Sequence, residues 1–78
     1  GKNMAYPNLK AEIARSGLTY NEILERGMFL VIRRPTRSTL SLKINGKAEF
    51  TLNESMALKD IIGTDLPLSE LFKSESEA

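Results

Sequence analysis

Two Thr-x-x-Glu motifs and a series of glycines divide this chain into short helical segments, and that division constrains the fold more than any other feature. The stretches Thr19–Glu22 and Thr51–Glu54 have the spacing of a capping box, in which both side chains bond free backbone amides at a helix start. The two motifs predict helices that begin at Tyr20 and Leu52. Glycine readily adopts the left-handed conformation that ends a helix. We therefore expect helices to end close to Gly17, Gly27 and Gly63.

Three more helices are predicted from caps and apolar spacing, which makes the expected fold all-α with five helices. We expect Asn8 to cap the first helix and Thr36 to cap a third helix over residues 37–45. Asn45-Gly46 should stop the third helix, and Pro67 suits the first turn of a short fifth helix. The side chains expected to face the core are Leu9, Ile13, Ala14, Ile23, Leu24, Leu40, Ile44, Leu52, Met56, Ala57, Ile61, Leu68, Leu71 and Phe72.

Five consecutive apolar residues, Met28 to Ile32, do not follow this pattern. Their β-favouring side chains leave open a short strand, and an isolated strand would need a partner for its backbone groups. We expect the same segment of a second molecule to be that partner, which gives a symmetric homodimer. The alternative is that the segment extends the second helix and packs within the monomer. The predicted dimerisation residues are Met28, Phe29, Leu30, Val31 and Ile32.

The composition argues against an enzyme. The 78 residues include no cysteine and no histidine, which excludes serine–histidine triads, thiolate nucleophiles and the usual zinc sites. The carboxylates of Glu22 and Glu54 are explained by capping, and no carboxylate pair suggests acid–base chemistry. We expect no cofactor, no metal, no small-molecule substrate and no membrane insertion. The lack of cysteine fits the reducing cytoplasm.

The charges are unevenly distributed along the chain. Residues 1–47 contain nine basic and three acidic side chains, a net charge of +6, whereas residues 48–78 contain two basic and seven acidic ones, a net charge of −5. A chain with one basic half is suited to present one face to a polyanion.

Several segments resemble the Cro/phage-repressor (XRE) family of helix-turn-helix proteins. The run Asn8–Leu18 followed by Thr19–Ile23 is similar to its first two helices, and Ser38–Lys47 to its third helix and the following turn. The segments Glu49–Glu54 and Leu68–Phe72 also resemble phage-encoded members. The resemblance implies a lambda-repressor-like, sequence-specific DNA-binding fold.

One departure from the family pattern lies between the second and third helices. Leu24 is at the position of a small residue in the second helix, and Leu40 is the apolar anchor of the third. Their separation of 16 is about six residues longer than in the family, with Gly27 as the nearest match to the usual turn glycine. A tight turn holds the two helices at a fixed angle. The insertion therefore affects the geometry of the DNA-reading unit.

The resemblance implies roles for individual residues, because the start of the third helix enters the major groove in this family. The candidates for contacts with base edges are Arg37, Ser38, Ser41 and Leu42. The candidates for contacts with phosphates are Tyr20, Arg33, Arg34, Lys43, Asn45 and Lys47.

Two of these candidates have an alternative interpretation. Leu42 either contacts a thymine methyl group or is buried under the inserted segment. Tyr20 either meets a phosphate or is half-buried in packing.

These observations predict a small cytoplasmic transcriptional repressor of phage or bacterial type that binds double-stranded DNA as a homodimer. The alternative is a protein-interaction or dimerisation module on the same fold, in which the insertion has displaced DNA binding. We expect residues 1–7 to comprise a vector-derived remnant before Met4 and an N-terminal arm, residues 8–72 to form the DNA-binding domain, and residues 73–78 to be a frayed C-terminal tail.

Overall fold

Short helices follow one another along the computed structural model, which describes residues 5–74. They are α1 (Pro7–Ser16), α2 (Tyr20–Glu25), a 3₁₀ turn (Met28–Leu30), α3 (Arg37–Ile44), α4 (Leu52–Ile62) and α5 (Leu68–Leu71). Every regular element in this range is helical, so the all-α prediction with five α-helices is confirmed. The predictions for the remnant before Met4 and for the tail beyond Ser74 lie outside the described residues.

The predicted helix boundaries are confirmed where they depend on local capping. Thr19 and Thr51 each accept a hydrogen bond from the amide three residues later, at 3.1 Å, and both capping boxes are complete. Thr36 caps α3 in the same way through the Thr39 amide. Left-handed glycines, Gly17 and Gly63, end α1 and α4. Across residues 5–74 there is no helix with the length and apolar character needed to cross a bilayer.

The predicted cap of the first helix was wrong. The helix begins at Pro7, one residue before the expected cap at Asn8, and Tyr6 is the residue that precedes it. Proline favours the first helical position because its φ is already helical and its missing N–H would have no helical partner there. The amide of Asn8 is therefore free for a distant contact, and its Nδ2 donates to the Glu70 carbonyl of α5 at 2.8 Å.

One apolar core joins α1 to α5. It confirms seven of the expected core residues, which are Leu9, Ile13, Ile23, Leu24, Leu40, Ile44 and Leu71. Leu68 and Phe72 are half-buried, whereas Ala14 is exposed and the expectation for it was wrong. The core also contains Leu58 and Ile62, which were not expected there. It further contains Met28 and Ile32, which only the alternative of packing within the monomer placed there.

The expected inward face of α4 was also wrong. Leu52 and Met56 are 68% and 50% exposed, Leu58 is completely buried, and Ala57 and Ile61 are half-buried. Apolar side chains surround most of this helix, so their spacing does not select one face. The orientation instead places the capping residue Glu54 inward, and its side chain is only 6% exposed.

The strand predicted for Met28–Ile32 is not formed. Residues 28–30 make a 3₁₀ turn, in which the amide of Val31 donates to the carbonyl of Met28 at 3.1 Å. Local bonds of this kind satisfy backbone groups that a lone strand would leave unpaired. Met28 and Ile32 are buried in the monomer's own core, and the turn packs against α2 and α4. The segment does not simply extend α2, because Gly27, with a φ of 149°, separates the two elements.

An aromatic cluster holds the two ends of the described chain together. Tyr6, Phe50 and Phe72 are mutually in contact, with ring centroids 5.1 to 5.9 Å apart. Tilted and edge-on aromatic pairs of this kind are stabilising beyond the area that they bury. Ala5 and Ser74 are buried beside the two ends. Residues 5 and 6 are thus part of the packed domain rather than of an arm, and the expected fraying does not begin at Lys73.

A polar network joins α1 to the connection between α4 and α5. The hydroxyl of Thr64 donates to Oε1 of Glu12 at 2.6 Å, and Arg15 forms an ion pair with the same oxygen. Lys59 donates to the Thr64 carbonyl at 2.9 Å. The hydrogen bond from Thr64 and then the one from Arg15 hold the pKa of Glu12 below its usual value.

This network predicts a dependence of stability on pH. A carboxyl with a lowered pKa in the folded state stabilises the fold above its unfolded pKa, and that stabilisation is lost as the pH falls through the folded pKa. Thr64→Val should raise the pKa of Glu12 and move this loss to higher pH, whereas Thr64→Ser retains the hydroxyl and should leave the pKa low. An NMR titration of the Glu12 carboxyl carbon checks both variants. An unchanged titration in Thr64→Val would contradict the assigned cause.

Candidate nucleic-acid interface

The two helices expected to read DNA remain in contact despite the longer connection between them. α2 and α3 pack directly against each other, and Ile23, Leu24, Leu40 and Ile44 contribute to the same core. The connecting residues leave α2, pass through the 3₁₀ turn beside α4, and return to α3 at Arg37. The connection therefore lies beside the α2–α3 contact rather than between the two helices.

The starts of α2 and α3 are brought together by a stacked pair of side chains. Arg37 is the first residue of α3, and its Cζ lies 5.7 Å from the ring centroid of Tyr20, the first residue of α2. An exposed cation–π contact of this kind stabilises by about 0.5–1 kcal/mol and orients the guanidinium. Tyr20 is half-buried against the core. The packing role considered for Tyr20 is therefore present, and its contact with a phosphate stays a prediction.

The predicted base-reading residues share one outward side of α3. Arg37 and Ser38 are exposed, Ser41 is half-buried, and Leu42 is 47% exposed. Burial of Leu42 under the inserted segment, one of the two alternatives, is thus wrong. The face presents a cation, two hydroxyls and an apolar tip, the groups that can contact base edges in a major groove.

The chain segment that includes this face contains only positive charges. Between residues 26 and 48 there are six basic residues and no acidic one: Arg26, Arg33, Arg34, Arg37, Lys43 and Lys47. Within residues 5–74, ion pairs are formed by Arg15 and Lys43, so the side chains of Arg33, Arg34, Arg37 and Lys47 remain without a carboxylate partner. Such unpaired surface cations attract phosphates without reading sequence.

Two of the predicted phosphate-binding side chains donate their hydrogen bonds to other groups of the protein. Nζ of Lys43 donates to Oε1 of Glu54 at 2.9 Å and to the Glu49 carbonyl at 2.8 Å, and the Lys43 side chain is only 13% exposed. Nδ2 of Asn45 donates to the Ser41 carbonyl at 2.8 Å. These bonds direct both side chains towards the protein and away from an approaching phosphate.

Glu54 has a structural role that the sequence did not reveal. One of its oxygens serves the capping box, through the Thr51 amide at 3.0 Å, and also pairs with Lys43. It therefore connects the start of α4 to the end of α3. The capping motif indicated only the local bond, because no sequence spacing relates Glu54 to a lysine 11 residues earlier.

A cleft opens on the side of α3 that faces the segment before it. Its volume is about 510 Å³, and it is lined by Ile32, Arg33, Arg34, Thr39, Lys43 and Glu54. A turn around Pro35, in which the Thr36 amide donates to the Arg34 carbonyl at 2.8 Å, positions the two arginines at this rim. No cluster of acidic side chains suited to hold a metal occurs in the part of the chain that the structure describes.

The predicted dimerisation residues divide into two groups. Met28 and Ile32 are buried in the monomer, and Val31 is half-buried against the same core, so these three cannot form a strand with a partner. Phe29 and Leu30 are 51% and 75% exposed. Any contact with a second molecule through this segment would therefore involve these two side chains.

Comparison with known proteins finds no matching family model, no matching curated protein and no matching solved structure.

Proposed function

We propose that this chain binds double-stranded DNA in a sequence-specific manner and acts in the cytoplasm as a small transcriptional repressor of phage or bacterial type. One observation supports this function most directly: Arg37, at the exposed start of α3, is stacked on Tyr20 at the start of α2. The pair places an oriented guanidinium on a surface where Arg33, Arg34 and Lys47 also have no carboxylate partner within residues 5–74.

In this proposal the start of α3 enters the major groove. Arg37 donates two hydrogen bonds to a guanine, which is the commonest specific contact between a side chain and a base. Ser38 and Ser41 bond to neighbouring base edges, and Leu42 contacts a thymine methyl group. The stack on Tyr20 reduces the rotamer freedom that Arg37 loses on binding.

Phosphate contacts surround the groove contact and set its register. Lys47, in the turn after α3, and the hydroxyl of Tyr20 are the proposed ligands, while Arg33 and Arg34 add general attraction. Lys43 and Asn45 are left out of the contact surface because their donors are bonded within the protein.

Arg37→Ala should weaken binding to the preferred duplex by about 1–3 kcal/mol and relax the preference at one base pair. Lys47→Ala is the matched comparison, because it also removes one exposed cation: it should weaken binding to all duplexes alike and lower the salt slope by about 1. Fluorescence anisotropy with a selected and a scrambled duplex, each over a range of salt concentrations, measures both effects. Equal losses on the two duplexes for Arg37→Ala would make Arg37 a phosphate ligand.

Binding as a two-fold dimer fits the small contact surface of one module. We expect the exposed Phe29 and Leu30 to contribute to self-association, since a solvent-exposed apolar pair is stabilised when it is covered. The double variant Phe29→Ser, Leu30→Ser should shift sedimentation from dimer to monomer with an unchanged helical circular dichroism spectrum. Leu52→Ser, which alters an equally exposed leucine on α4, serves as the control. A wild-type chain that sediments as a monomer at high concentration would contradict the dimer.

The same two exposed side chains favour a second candidate function, a protein-interaction module. Salt distinguishes the two functions, because duplex binding weakens steeply as salt rises, whereas apolar contact with a protein does not. A chain that binds no selected duplex even at low salt would favour the interaction module.

A further inference from the structure

The cleft beside α3 contains more positive charge than the fold itself uses. Three of its lining side chains are cationic, Arg33, Arg34 and Lys43, and one is anionic, Glu54. Lys43 and Glu54 form an ion pair with each other at 2.9 Å and therefore nearly neutralise one another. The two arginines are exposed and form no ion pair within residues 5–74, so the cleft has a surplus of two positive charges.

Hydrogen-bond donors accompany this charge. Thr39 accepts a hydrogen bond from the Thr36 hydroxyl at 3.1 Å, so its own hydroxyl proton is available to a ligand. Each guanidinium offers a planar pair of donors that matches two oxygens of a phosphoryl group. Ile32 supplies an apolar wall, and about 510 Å³ lies within the range typical of small-molecule sites.

We propose that this cleft binds the phosphoryl group of a small organic phosphate monoester, with Arg33, Arg34 and Thr39 as its ligands. A monoester has close to two negative charges at neutral pH, which matches the surplus of the cleft, whereas a phosphodiester in a DNA backbone has only one. The volume exceeds that of a phosphate ion, so the organic part of the ligand lies against Ile32.

The site lies on a different side of α3 from Arg37 and Ser41 of the proposed DNA face. Thr39 and Lys43 are one helical turn apart and line the cleft, while Arg37 and Ser41 form the corresponding pair two residues earlier. Two residues correspond to about 200° around a helix axis, so the two pairs occupy nearly opposite flanks. The proposal therefore goes beyond DNA binding and does not depend on it.

The experiment uses the full chain without DNA. Adenosine monophosphate is titrated against ¹⁵N-labelled protein, with adenosine and with potassium chloride at matched ionic strength as comparisons. We expect saturable shifts at the amides of residues 32–34 and 39 with adenosine monophosphate, and binding weaker by about tenfold or more with adenosine. Arg33→Gln and Arg34→Gln should each weaken binding by about tenfold. Arg26 is an exposed arginine outside the cleft, so Arg26→Gln should leave the binding of adenosine monophosphate unchanged.

Shifts equal to those with potassium chloride, or an equal loss in Arg26→Gln, would overturn the proposal and indicate diffuse attraction of anions. A duplex titration then identifies the source of the phosphoryl group. Simultaneous binding of duplex and adenosine monophosphate supports a separate small ligand. Competition between duplex and adenosine monophosphate at matched ionic strength, with duplex-induced shifts at the amides of residues 32–34, would overturn the proposal. The ligand of the cleft would then be a phosphate of the DNA backbone. Nucleotide binding without duplex binding would reject the proposed function alone, and the converse result would reject this inference alone.

Discussion

Leu58→Ala should lower the free energy of unfolding by about 2–5 kcal/mol. Leu58 lies in the middle of α4 and is completely buried, so its truncation leaves a cavity in the core shared by α1 to α5. A domain of this size has a total stability of only about 3–5 kcal/mol. The variant should therefore be largely unfolded at room temperature, as urea denaturation followed by circular dichroism would measure.

Leu52→Ala is the matched control, because it makes the same chemical change on the same helix at a side chain that is 68% exposed. It should alter stability by less than about 0.5 kcal/mol. The inward face expected from the sequence, with Leu52 in the core, predicts the opposite order for these two leucines. A larger loss in Leu52→Ala than in Leu58→Ala would mean that α4 faces the core with its other side.

Glu54→Ala should destabilise the fold by about 3 kcal/mol. The substitution leaves the ammonium group of Lys43 largely buried with only the Glu49 carbonyl as its partner, and it also removes the bond to the Thr51 amide. Removal of one member of a buried pair is costly because the other charge is left uncompensated. Thermal unfolding of wild type and variant measures the loss.

Glu22→Ala isolates the contribution of the ion pair, because Glu22 makes the same capping bond in α2 but is exposed and forms no salt bridge with any residue from 5 to 74. It should cost less than Glu54→Ala. Lys43→Met retains the aliphatic stem without the charge, and the double variant Lys43→Met, Glu54→Ala closes a thermodynamic cycle. A coupling energy near zero would show that the pair does not hold α3 to α4.

The ion pair also has a consequence for the proposed function. Since Lys43 is on α3 and Glu54 is on α4, their bond connects α3, the proposed recognition helix, to α4. We place Glu54 as a positioning residue for α3, although it is remote from the bases in the proposed complex. It was not expected to have this role because its partner is distant in sequence.

The candidate site was predictable only in part, because several of its contacts join residues that are distant in sequence. The exposed start of α3 follows from the Thr36 cap and from the placement of Leu40 and Ile44 inward, which are local features. The stack of Arg37 on Tyr20, the withdrawal of Lys43 from the surface and the cleft at Arg33 and Arg34 all depend on how separate helices meet. No spacing within one helix indicates such contacts.

The sequence by itself determined where α2, α3 and α4 begin and where α1 and α4 end, because a threonine cap, a Thr-x-x-Glu box or a left-handed glycine acts on backbone groups within a few residues. Tertiary structure alone decided which face of α4 is buried and what became of Met28–Ile32. In both segments the apolar side chains point to several sides, and a single core can bury only some of them. Which of them are buried depends on distant partners. Leu58 and Ile62 of α4 join the core shared by the other helices, and the 3₁₀ turn packs against α2 and α4.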